Sequence, residues 1–135
     1  MEAARQVPVD RVERWRVLVV DDDLPTRLVL EAVLRDDGYD VLSAADGEEG
    51  LQLVKVWRPH LILVDLVMPR SNGFAFAEAY RRLPNAQAPL VVMSGVARDT
   101  ARITAATGAA AVLVKPIDVE RLLEVVDVLV RSRAA

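Results

Sequence analysis

The sequence contains no cysteine, and aromatic side chains make up only 4% of it. Without thiols there is no zinc-finger, redox or thiol-nucleophile chemistry. No run is long enough to span a membrane. Uncharged stretches, residues 103–114 among them, fall well short of the roughly 20 apolar residues a span requires. The charged beginning, Met1-Glu2-Ala3-Ala4-Arg5, is followed by no apolar core of a signal peptide. Basic residues are not in excess: 17 Lys and Arg stand against 20 Asp and Glu, a net charge of −3. Direct nucleic-acid binding wants a basic face, so that class is disfavoured. Nucleotide loops are missing too, with neither a Gly-Lys-Ser/Thr P-loop nor a G-x-G-x-x-G. Gly47 and Gly50 flank two glutamates, which would repel a phosphate. These exclusions predict a soluble cytoplasmic domain with no membrane insertion.

What is present is a 135-residue chain that is 53% hydrophobic, enough to bury one core without a disulfide or metal staple. Residues 1–15 read as a flexible leader. A short amphipathic segment docking on the domain or on a twin is the alternative. Residues 16–131 read as one domain and residues 132–135 as a tail. Within the domain, short apolar runs alternate with stretches of helical period. The runs are Val17-Leu18-Val19-Val20, a weaker one over residues 39–44, Leu61-Ile62-Leu63-Val64, Leu90-Val91-Val92-Met93 and Ala111-Val112-Leu113-Val114. Runs apolar on both faces and rich in β-branched residues suit strands of a parallel sheet covered on each side. The helical stretches fall at about residues 25–37, 46–58, 73–83, 99–107 and 119–131. Pro25 suits a helix start, and Asp46 with Glu49 three residues on makes a capping-box variant. Strand and helix repeated five times predicts a doubly wound α/β fold.

Chemistry gathers where the strands end. The first ends in Asp21-Asp22-Asp23, the third in Asp65, the fourth in Ser94-Gly95 and the fifth in Lys115-Pro116. In open α/β sheets, ligands bind at the carboxyl ends of the strands. Asp23 can serve as a helix cap, but three consecutive carboxylates cannot all be caps. Crowded like charges raise a pKa unless a cation sits among them. An oxygen-only cluster points to a hard cation, Mg²⁺ first. His60, between Pro59 and a buried strand, reads as a surface loop residue.

These residues carry a resemblance. Val17-Leu18-Val19-Val20-Asp21-Asp22-Asp23, Asp46-Gly47-Glu48-Glu49-Gly50-Leu51, Leu61-Ile62-Leu63-Val64-Asp65-Leu66-Val67-Met68-Pro69, Ser94-Gly95 and Lys115-Pro116 are similar, in order and spacing, to the receiver domain of two-component response regulators. The similarity covers about residues 16–131. It implies a flavodoxin-like sheet with strand order 2-1-3-4-5. It implies that Asp65 is the phosphoacceptor, acting on itself rather than as an enzyme on a separate substrate. Asp22, Asp65 and the backbone carbonyl of Val67 would bind Mg²⁺, with Asp21 acting through water. Lys115 and Ser94 would contact the phosphoryl group, Ser94 as the switch, and the Lys115–Pro116 peptide would be cis. Implied partners are a sensor histidine kinase or histidine phosphotransfer protein and an unidentified output protein. A homodimer is a further possibility.

The sequence departs from the family at Val112, where an aromatic residue usually reports phosphorylation. Two positions that tune dephosphorylation, Val67 and Val96, are apolar here, which predicts a long-lived phosphoryl group. The last helix carries a core stripe of Val119, Leu122, Leu123, Val126, Leu129 and Val130. Val125 and Val128 fall off it and are interface candidates on the face of the fourth helix, fifth strand and fifth helix. Rival readings are a docking module independent of phosphorylation, a phosphate sink and a cofactor-binding flavodoxin-like enzyme.

Overall fold

The computed structural model describes residues 14–68, 72–95 and 99–134. Five strands, β1 (Arg16–Val20), β2 (Asp40–Ala44), β3 (Leu61–Asp65), β4 (Leu90–Ser94) and β5 (Ala111–Val114), alternate with five helices. These are α1 (Leu24–Asp36), α2 (Gly47–Trp57), α3 (Gly73–Arg81), α4 (Thr100–Thr107) and α5 (Val119–Ala134). The strands form one parallel sheet in the order β2-β1-β3-β4-β5. This is the flavodoxin-like doubly wound arrangement, and parallel pairing requires the helical crossovers.

Side-chain alternation along each strand divides the core in two. Val17, Val19, Leu61, Leu63, Val91, Met93 and Leu113 face Leu30 and Leu34 of α1 and Leu122, Val126 and Val130 of α5. The opposite face, with Leu18, Val20, Ile62, Val64, Leu90 and Val92, meets Phe76, Ala77 and Tyr80 of α3 and Ile103 of α4. Partly buried Leu51 and Val54 of α2 join this second cluster. The central strands β1 and β3 are therefore dry on both sides, which is why they read as unbroken apolar runs.

Two terminal features differ from the sequence reading. Trp15, assigned there to the leader, packs against the first core cluster, and its carbonyl accepts the Asp40 N–H at 3.0 Å. His60 lies in the loop before β3, as expected, but is half-buried there. Its Nδ1 accepts the Arg16 N–H at 2.9 Å, and its ring meets Trp15 edge-on at 5.0 Å. Residues 1–13 lie outside the described residues.

On α5, Val125 is buried and not an exposed interface residue, which corrects the sequence reading. It stands three residues after Leu122 and so shares that residue's face of the helix. Val128 is 55% exposed, as expected for a residue off the stripe, but Val119 is 43% exposed although it was read as core. Val119 opens the helix and lies beside Pro25 and Val29 at a surface groove.

Candidate functional site

The sheet registers bring four strand ends to one place. Val20 pairs with Val64, Asp65 with Met93 and Ser94 with Val114, so the residues that follow β1 and β5 emerge beside the last residues of β3 and β4. Asp21, Asp22 and Asp65 each offer a carboxylate oxygen, and these oxygens lie within 4.8 Å of one another. Asp21 and Asp65 are buried and Asp22 is exposed, so the cluster forms a floor with one open side. Lys115 Nζ lies 3.0 Å from Asp65 Oδ2. The Val67 N–H donates to Asp65 Oδ1 at 3.3 Å, while the Val67 side chain faces solvent. Ser94 is buried at the end of β4, and its carbonyl accepts the Lys115 N–H at 2.7 Å. The Lys115–Pro116 peptide is cis.

The three consecutive aspartates do different work. Asp23 is the N-cap of α1 and accepts from the Thr26 N–H at 3.1 Å and from the Thr26 hydroxyl. Those two bonds hold its carboxyl below the usual carboxylate range. Asp22 is exposed on the open side. Asp21 accepts the Asp23 N–H on Oδ1 at 2.9 Å, but its Oδ2 is buried with no hydrogen-bond partner among the described residues. Burial pushes the Asp21 carboxyl up, the Asp23 N–H partly opposes this, and the Asp65 charge adds to it. An orphaned buried carboxylate oxygen beside two more carboxylates is what a hard cation would satisfy, and an all-oxygen set fits Mg²⁺. The residues present therefore fit that ion.

A stability prediction follows from Asp21. Its folded-state pKa lies above the unfolded value, so its native carboxyl holds its proton more tightly than the unfolded one does. Stability is full below the unfolded pKa and falls as pH rises through the native pKa. Asp21→Asn keeps the Oδ1 acceptor and removes that fall. In metal-free buffer the variant gains on the order of 1 kcal/mol over wild type at neutral pH and little at acid pH. Urea midpoints at the two pH values check this, and equal midpoints at both would contradict it.

Two features escape sequence reading. A Cβ on Gly73 would sit 2.6 Å from the Asp65 carbonyl oxygen and 2.8 Å from Leu66 Cα. Glycine there lets the start of α3 lie directly against the chain that carries Asp65. Second, α1 exposes the large apolar side chains of Leu24, Leu28 and Val29. A groove of about 360 Å³ between Val29 and Ile117 runs up to Lys115. Val112 is half-buried against the second core cluster. Val96 lies outside the described residues.

A doubly wound sheet of this order, with paired acids, a third carboxylate, a serine and a lysine at successive strand ends, defines the class of receiver modules in two-component signalling. The chain belongs to the response regulator receiver domain family, whose model matches residues 17–127. It is 32% identical over 118 residues to a probable chemotaxis protein CheY of Rhizobium etli, covering 85% of this chain and 92% of that protein. It is 35% identical over 112 residues to the probable transcriptional regulator ycf27 of Porphyridium aerugineum, covering 82% of this chain and 46% of that protein. The chain thus spans about half the length of the ycf27 relatives it matches. Among solved structures, Vibrio cholerae chemotaxis protein CheY4 superposes with a TM-score of 0.81 at 32% identity, covering 87% of this chain and 99% of that one. Receiver domains of this kind are signalling modules rather than classical enzymes. In general they bind Mg²⁺ and interact with histidine kinases and output partners. Among the described residues, no helix is long and apolar enough to cross a membrane.

Proposed function

We propose that this domain takes a phosphoryl group from a phosphohistidine donor onto Asp65 and signals or relays through protein contacts. The observation that carries the reading is the setting of Asp65: buried, with Lys115 Nζ at 3.0 Å and the oxygens of Asp21 and Asp22 close by. A carboxylate oxygen can attack phosphorus and form an acyl phosphate while the bond to the donor nitrogen breaks. Asp22, Asp65 and the Val67 carbonyl would hold Mg²⁺, with Asp21 behind them. When bound, the ion supplies charge neutralisation between the carboxylate and phosphoryl oxygens. Lys115 adds a point charge for a phosphoryl oxygen. Ser94, buried at the end of β4, would donate its hydroxyl to another and so sense the group.

The exposed apolar side chains of Leu24, Leu28 and Val29, the last in a groove that reaches Lys115, would offer the donor protein a landing surface on α1. Val128 remains the interface candidate on α5. With Val112 in place of the usual aromatic, output would rest on movement of α4 without an aromatic switch, or the domain would switch only weakly.

Incubation with acetyl phosphate and Mg²⁺ followed by intact mass tests the reading. One added phosphoryl group is expected, and none would end it. No spectral change on adding beryllofluoride and Mg²⁺ would point instead to docking independent of phosphorylation. The apolar Val67 has no group to place a hydrolytic water. The adduct therefore decays slowly, and a decay rate at the fast end of receiver domains would contradict that.

A further inference from the structure

We propose that Arg27 is a positioning residue that holds the loop of residues 21–23 in its cation-binding shape. The inference rests on the reading of the crevice as a cation site. Arg27 lies in the first turn of α1, where unpaired N–H groups disfavour a cation. Its side chain folds back out of that turn, and Nη1 donates to the main-chain carbonyl of Asp21 at 2.7 Å.

That contact completes the main-chain bonding of a fully buried residue. The Asp21 N–H already donates to the Ala44 carbonyl at 3.1 Å, so β2 holds one side of Asp21 and Arg27 holds the other. The Arg27 N–H also donates to the Asp23 carbonyl at 3.0 Å. One residue of α1 therefore ties both ends of the acidic loop, with Asp22 between them. Among the described residues, none of the ion pairs involves Arg27.

The two possible roles of Arg27 predict opposite signs. If it acted by charge, removing it would relieve repulsion and tighten cation binding. If it acts by fixing the loop, removing it loosens the ligands and weakens binding, as loss of a supporting hydrogen bond around a metal does by about 10-fold or more.

The experiment is isothermal titration of the full chain with Mn²⁺, with Mg²⁺ as competitor, and circular dichroism to monitor folding. Arg27→Ala is expected to bind about 10-fold more weakly than wild type. Arg27→Lys keeps both the charge and one donor, which suffices for a single hydrogen bond, and is expected to stay within about 3-fold of wild type. Arg27→Ala binding as tightly as wild type, or more tightly, overturns the proposal. So does Arg27→Lys losing about 10-fold, and that arm stands alone should the alanine variant not fold. A wild type that takes up no Mn²⁺ removes the cation reading itself, and this proposal with it. Wild-type binding with an unaffected Arg27→Ala removes this proposal alone.

Discussion

Asp65→Asn is expected to leave the domain folded and to abolish phosphoryl uptake from acetyl phosphate. The two side chains have nearly the same shape, so the buried end of β3 is not remodelled. The amide, however, has no anionic oxygen to attack phosphorus, and it no longer draws Lys115 Nζ to 3.0 Å as an ion pair. Lys115 is partly exposed, so the lost pair costs the fold little, about 1 kcal/mol or less. The chemical effect is all-or-none while the structural effect is small. Intact mass separates them: wild type gains one phosphoryl group, and the variant gains none. Equal gain in both would place the acceptor elsewhere, and retained near-wild-type circular dichroism keeps a negative result from being trivial.

The second large effect is structural in origin. Gly73→Ala places a methyl group 2.6 Å from the Asp65 carbonyl and 2.8 Å from Leu66 Cα. Both obstacles are backbone, so no side chain can rotate away. Either α3 moves off the sheet, taking Phe76 and Ala77 out of the second core cluster, or the chain after Asp65 moves. A loss of about 3 kcal/mol is expected, in the range that overpacking reaches. The shift of Asp65 against Lys115 should also reduce phosphoryl uptake. Gly95→Ala is the control, since a Cβ there meets nothing within 4 Å among the described residues. It should change stability by less than about 0.5 kcal/mol. Urea midpoints for the two variants check the contrast, and equal midpoints would refute the close-approach argument.

The strands were legible because β1, β3 and β4 are covered on both faces and leave unbroken apolar runs. Helix starts at Asp23 and Asp46 were legible because each side chain accepts an N–H three residues on. The acidic cluster was legible because strand ends in such a sheet converge whatever the intervening sequence. What sequence did not reveal depends on contacts between distant segments. Trp15 looks like part of a polar leader until its carbonyl is seen to accept from Asp40, and His60 looks loose until Arg16 is seen to donate to its ring. Val125 was misplaced because a stripe drawn through Val119 rotates the helix away from its true core face, centred on Leu122 and Val126. Arg27 reads as an ordinary helical arginine, and only its bond to the Asp21 carbonyl singles it out. The polar residues of the crevice were thus written locally. The loop supports, the requirement for Gly73 and the exposed face of α1 were not.

The pairing of Asp65 with Lys115 also bears on how the protein is made. Asp65 ends the third strand and Lys115 follows the fifth, so a ribosome delivers the acceptor well before the cation that accompanies it. Synthesis at about 5–20 residues per second leaves an interval of seconds between them. During that time the nascent chain carries the Asp65 carboxylate without its lysine and with the β4 edge of the sheet unpaired. On the proposed reading, competence to accept a phosphoryl group arrives only once Lys115, past the end of β5, has joined Asp65.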